Sequence, residues 1–198
     1  VGGLATVWGS QRKGIFFLTL AGTGIRSGEC RALSWRQILW AEKALLIDRA
    51  CEGGTLKIGP VSEKKGGAKI VLMPSRVTEE LQTWRELSVW KDPADLVFPG
   101  KARGLPMSSA TITKSLPFAF RRLEKAAAEK QLTPPIDRTG RNLVVHSFRH
   151  TFVTRMRRTA PRGLVPMLVG HQSEATTDLY DHPTQLEIIG EIEPARAA

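Results

Sequence analysis

The stretch GIFFLTLAGTGI, residues 14–25, constrains this chain more than any other. It is apolar and closes on glycines, so it reads as a buried helix that stops there. A helix without a polar face needs neighbours to cover it. The chain has them to offer: of its 198 residues 41% are hydrophobic and 24% charged. That balance supports a sizeable core in one domain, or one domain with an appendage, and excludes a disordered chain.

The segments that follow supply those neighbours. SGECRALSWRQI (27–38) predicts a second helix with Ser27 as its N-cap. KALLIDRA (43–50), TLKIGPV (55–61) and AKIVLMP (68–74) are short, rich in Ile, Leu and Val, and separated by glycines. They predict a small antiparallel sheet. SEKKGG, between the last two, reads as a tight turn with Lys64 and Lys65 at its tip. Ser75 is expected to cap a helix whose stripe is Val77, Leu81, Trp84 and Leu87. Residues 96–109 and 133–142 read as loops, and 118–132 as a strong helix. SFRHTFVTRMRR (147–158) predicts a helix with Phe148, Phe152 and Met156 on its buried side. A short helix around 163–169 and another opening at Ser173 complete the reading. The fold class expected is mainly α with one small antiparallel sheet (α+β).

Charge narrows the partner. Lys and Arg number 29 against 19 Asp and Glu, for a net charge of +10 and a pI near 10.1. Such an excess attracts polyanions, nucleic acid being the commonest, although a membrane-surface or ribosome-associated protein would share it. Cys30 and Cys51 read as reduced thiols of a cytosolic protein rather than a secreted scaffold. No apolar run approaches the roughly 18 residues of a membrane span. The opening VGGLATVWGSQRKG has neither a signal-peptide core nor an initiating Met, and reads as the start of a fragment of a longer chain.

Several polar residues stand where chemistry could use them, and each also has a plain structural reading. Arg26 follows the apolar helix and could simply bind its last carbonyls, while Glu29 can pair with it at helical spacing. Lys65 could serve solubility at a turn, or could reach into a groove and protonate a leaving group. His146 and Arg149 lie one helical turn apart. They could be a solvated helix start, but the apolar approach LVV suggests that His146 is drawn toward the core. Arg149 offers a fork of donors suited to phosphate oxygens. His171 after Gly170 could mark a helix end, and Tyr180, the only tyrosine, could be a packing residue. Taken in order, two arginines, a lysine, two histidines and a tyrosine suit a phosphate attacked by a tyrosine oxygen. No Asp/Glu cluster has metal-site spacing.

These motifs resemble those of the tyrosine recombinases, the phage integrase family. TGIRSGECRALSW is similar to the family's first arginine box, with Arg26 and Glu29 in place. EKKGGAKIVLMP resembles its lysine hairpin, with Lys65 the best match and Lys64 beside it. HSFRHTFVTRM resembles the second box through His146 and Arg149, and LVGHQSEATTDLYDH the third through His171 and Tyr180. The likeness runs from about residue 14 to 182. Cys30 stands where the family has a larger aliphatic residue, and the loop 133–142 is longer and richer in proline than the family pattern.

The resemblance implies a site-specific recombinase or integrase that cuts and rejoins double-stranded DNA through a 3′-phosphotyrosyl link. Tyr180 would be the nucleophile. Arg26, Arg149 and His171 would hold the phosphate, His146 would assist as donor or base, Lys65 would act as acid, and Glu29 would support Arg26. It implies no cofactor, no metal, no small-molecule substrate and no membrane. It also implies a DNA-associated place in a bacterial or phage-infected cytoplasm, and self-assembly, as a tetramer, on DNA. Residues 1–183 would form the catalytic domain and 184–198 a tail exchanged between protomers. The family's separate N-terminal DNA-binding domain would be absent from this chain, and residue 1 would then lie at a domain boundary. Three other readings compete. A type IB topoisomerase shares the chemistry, but the Gly-His-x8-Tyr spacing favours the recombinase. A non-catalytic DNA-binding module would not fill all six catalytic positions. A basic RNA-binding domain lacks the aromatic stacking signature.

Overall fold

The computed structural model describes residues 10–52, 54–61, 67–130 and 143–159. Helix α1 spans Gln11–Thr23 and starts one turn before the apolar run, because the Ser10 side chain accepts from the Lys13 amide at 3.3 Å. It is the centre of the core: Ile15, Phe16, Phe17 and Leu20 are all buried. Thr19 and Thr23 are buried with them because each hydroxyl donates to the carbonyl four residues back, Ile15 at 2.8 Å and Thr23 to Thr19 at 2.6 Å. Phe16 packs edge-on against Phe98, centroids 5.3 Å apart, and Phe17 meets Phe148 at the same separation with the rings tilted by 40°. Gly24 ends the helix in the left-handed conformation, φ 66°.

Helix α2, Ser27–Ala32, is shorter than the sequence predicts. Its N-cap is Arg26, one residue before Ser27, and Glu29 closes the first turn from within by accepting from the Arg26 amide at 2.8 Å. The helix stops because Ser34 and Gln37 cap each other across a 3-10 turn, Trp35–Gln37, and Ser34 bridges to Leu96. Short strands follow: β1 (Ile38–Leu39), β2 (Ala44–Ile47), β3 (Arg49–Cys51), β4 (Ile58–Pro60) and β5 (Lys69–Leu72). Among the described residues all strand pairing is antiparallel, but in two ladders rather than one, in the orders β1-β2-β5 and β3-β4. The segments flanking SEKKGG therefore do not pair with each other. β4 joins β3, and β5 crosses to β2, with Ala44 opposite Leu72 and Ile47 opposite Lys69. The turn itself, with Lys64 and Lys65, lies outside the described residues.

Helix α3, Ser75–Leu87, is preceded by Pro74 as N-cap, so Ser75 is its first residue and not its cap. Val77 and Leu81 are buried against α1, Trp84 is half-buried and donates to the Val97 carbonyl at 2.7 Å, and Leu87 is exposed rather than part of the stripe. Helix α4 runs Ser109–Glu129, nine residues ahead of the expected start. The helix continues through Pro117, and its start is fixed by Ser108 accepting from the Thr111 amide at 3.1 Å. Helix α5, Ser147–Thr159, lies on α1, with Met156 buried and Phe148 and Phe152 half-buried. The fold is mainly helical with a small antiparallel sheet, as the sequence predicts. Both cysteines are buried free thiols. No described helix is long and apolar enough to cross a membrane. The segments 163–169 and 173–182 and the loop 133–142 lie outside the described residues.

Candidate functional site

The end of α1 is where the candidate residues meet, and Gly24 sets the geometry. A Cβ on this residue would sit 2.3 Å from the Phe152 ring, so α5 seats directly on its backbone. One turn earlier on α5, Arg149 is buried and donates from Nη1 to the Gly24 carbonyl at 2.6 Å. A left-handed cap and an absent side chain thus let an arginine from residue 149 reach the turn that carries residue 26.

Arg26 lies just beyond that turn and is partly exposed, while Glu29 beneath it has only 2% of its side chain exposed. Arg26 Nη1 is 3.1 Å from Glu29 Oε1, and the Arg26 amide donates to Oε2. The expected pairing at three-residue spacing is therefore present. Lys69 of β5 is the residue that the sequence reading missed. Its Nζ donates to the same Oε1 at 2.9 Å, and only 7% of its side chain is exposed. A period-two signal could have found it: Lys69 shares its strand face with Val71 and Met73, both buried.

Three cations thus gather about one carboxylate. Burial pushes the Glu29 carboxyl up, but Lys69 and Arg26 outweigh it and hold the carboxyl below its ordinary range. Lys69 moves the other way, because burial and the Arg26 and Arg149 charges together exceed the pull of Glu29. Arg149 is likewise lowered by burial and then by Arg26, with Glu29 opposing. A guanidinium keeps its charge under such shifts. The cluster carries more positive than negative charge at a place where part of it is open to solvent.

His146 stands beside this cluster, but not in the core. Its approach, LVV, divides: Val145 packs on the core, Val144 is 47% exposed, and His146 is exposed. The reason is helix geometry. Ser147 begins α5, so His146 precedes the first buried turn, and Arg149 and Phe148 take the inward direction. His146 instead lines the rim of a pocket with Ser27, Ser109, Thr113 and Arg149, over a floor of Leu20, Ile25 and Ile112. Its ring meets His150 edge-on, centroids 4.6 Å apart. Partial burial, then His150, Arg149 and Arg26, lower its pKa and favour the neutral imidazole. Such a ring can give or accept one hydrogen bond at neutral pH. Lys65, His171 and Tyr180 lie outside the described residues.

The sequence pattern describing the phage integrase family matches residues 8–187. No curated protein shows a significant match. Among solved structures, the integrase of the Tn1549 transposon, in complex with circular intermediate DNA, is 20% identical with a TM-score of 0.65. The alignment covers 98% of this chain and 64% of that one. XerA recombinase is similar at 20% identity and a TM-score of 0.56, over 98% of this chain and 61% of its own. The integrase of mycobacterium phage Brujita follows at 17% and 0.54, over 96% and 55%. The chain spans less than two thirds of the length of each of these proteins.

Proposed function

Because the chain belongs to the phage integrase family, we propose that it is the catalytic part of a tyrosine recombinase that cuts and rejoins double-stranded DNA at specific sites. The observation that carries this reading is the gathering of Arg26 and Arg149, from elements 123 residues apart in sequence, around the buried Glu29 beside the His146 pocket. Such a site favours an anion with several oxygens, and the DNA backbone supplies one at every nucleotide. The Tn1549 integrase, which shares the fold, has been solved in complex with circular intermediate DNA.

In this reading the oxygen of Tyr180 attacks a backbone phosphorus while its proton passes to a base, for which neutral His146 is suited. The P–O5′ bond breaks, and Lys65 places a proton on the departing O5′. The products are a 3′-phosphotyrosyl link and a 5′-hydroxyl. A 5′-hydroxyl from another strand then reverses the step, so the ester bond is conserved and no nucleotide is consumed. Arg26, Arg149 and His171 offset the charge that builds on the phosphoryl oxygens. Residues 1–183 provide this chemistry. The tail 184–198 joins protomers in a tetramer assembled on DNA.

The test uses a nicked suicide duplex whose sequence is selected by binding from a randomised pool. The wild-type protein traps a covalent adduct that migrates with DNA on a denaturing gel. Tyr180→Phe binds the same duplex and forms none. An adduct of normal yield in that variant would end the assignment of the nucleophile.

A further inference from the structure

Lys69 has no role in the reaction as described, yet it occupies the least expected position in the site. A lysine ammonium is costly to bury unless something there uses its charge. It is delivered by a strand, β5, whereas Arg26 and Glu29 come from the α1–α2 turn, 40 residues earlier for Glu29. It also takes the same oxygen, Oε1, that Arg26 takes.

We propose that Lys69 is a positioning residue for the phosphate site, holding Glu29 shared between two cations so that the carboxylate orients Arg26 without cancelling its charge. The proposal rests on the recombinase reading above. The geometry explains the need. Glu29 is fixed by its role in the first turn of α2, where Oε2 accepts the Arg26 amide. Facing Arg26 alone, its charge would neutralise the guanidinium meant for the phosphate. With Lys69 on Oε1, the trio keeps a net positive charge and Arg26 is held from below by the shared oxygen. The strand also ties the sheet to the turn that bears Arg26, since Val71 and Met73 anchor the same face of β5 in the core. The ammonium itself is turned to Glu29 and is nearly closed to solvent, which suits an electrostatic support and not a group that meets DNA.

The experiment measures single-turnover adduct formation on the suicide duplex, with duplex affinity measured separately, in the intact protein. Adduct formation by the wild type is the control for the underlying reading; without it the recombinase assignment fails, whatever Lys69 does. Given that control, Lys69→Met should slow adduct formation by up to about 100-fold, as small displacements of a reacting group do, with affinity unchanged. Lys69→Met combined with Glu29→Gln should recover most of that loss, because the uncompensated carboxylate is gone. The double variant removes both members of the buried pair, so it remains decisive if the single variant does not fold. A double variant as slow as Lys69→Met, or slower, would overturn the proposal by showing that the lysine charge is itself required. So would rescue of Lys69→Met by a 5′-bridging phosphorothiolate, whose thiolate leaves without an acid and would make Lys69 the proton donor. Wild-type rate in Lys69→Met would reduce the contact to packing.

Discussion

Among the described residues, two clusters of three or more charged groups bring arginine to carboxylate, and they are built on opposite charge ratios. In the loop before α4, Arg103 lies between two acids. Its Nε donates to Asp95 at 2.6 Å, and Nη2 contacts both Asp95 and Asp92. Under the α1–α2 turn, one acid, Glu29, lies among Arg26, Lys69 and Arg149. The first cluster is closed electrostatically: its acids outnumber its cation, Arg103 is held above its ordinary pKa chiefly by Asp95, and Arg103 is half exposed. Asp95 also caps its own loop by accepting from the Asp92 amide at 3.0 Å. The second cluster is left positive by construction, with Arg149 buried, the Glu29 and Lys69 side chains nearly closed to solvent and Arg26 partly exposed. Geometry alone does not separate them, because both are tight. The ratio of charges does: an excess of cations is of no use to a loop but serves a site that must receive an anion.

The largest effect expected is from Arg149→Ala. The variant should lose about 100- to 1000-fold in adduct formation, the usual cost of removing a donor that stabilises transition-state charge. Duplex affinity should fall far less, since many phosphate contacts share it. Arg149→Lys should not restore the rate, because a lysine cannot both donate to the Gly24 carbonyl and present a planar fork. Cleavage at wild-type rate in Arg149→Ala would make this cluster as structural as that of Arg103.

Next comes Glu29→Gln, where the comparison turns on stability. Removing the acid leaves buried Lys69 facing cations only, and breaking such a pair from one side costs roughly 3 kcal/mol. The sign of its pH dependence follows from the carboxyl. The folded pKa lies below the unfolded value of about 4.3, so the stabilisation is complete above that value and fades as pH falls through the folded pKa. Urea melts should therefore show the variant trailing the wild type at pH 7, with the gap narrowing below pH ~4. A gap that stays constant into acid would mean that Glu29 contributes by its hydrogen bonds and not by its charge.

What the sequence disclosed about these clusters depends on how locally each is written. Arg26 and Glu29 lie within one turn, so the spacing predicts their pairing, and the apolar run with its glycines predicts where α1 stops. Lys69 reaches Glu29 only through the crossing of β5 to β2, and strand pairing is decided by which faces the core buries, a tertiary choice that short Ile- and Val-rich segments do not announce. The same holds for α2. Ser34 and Gln37 look like helix residues until Leu96 arrives to bridge with Ser34. Helix α4 differs in the other direction: it starts before 118 and runs through Pro117, because packing through Ile112, Leu116 and Ala119 carries a missing amide donor. The apolar approach LVV does not carry His146 into the core, because the first turn of α5 decides which side chains go inward.

The smallest effect expected is from Arg103→Ala, and its smallness is the point. The side chain is half exposed and Asp92 is largely exposed; Asp95 is buried, but an ion pair open to solvent on its cationic side contributes little. The loop it braces has independent ties: the Asp95 amide donates to the Asp92 carbonyl at 2.9 Å, and the Trp35 amide to the Asp95 carbonyl at 3.0 Å. Adduct formation should therefore continue at the wild-type rate. A small drop in melting temperature should appear at low salt and vanish as salt screens the pair. If Arg103→Ala instead slowed adduct formation while the fold held, the charge-ratio argument would fail. An arginine outnumbered by acids would then be serving the DNA phosphate, and an excess of cations would no longer mark out the site at Glu29.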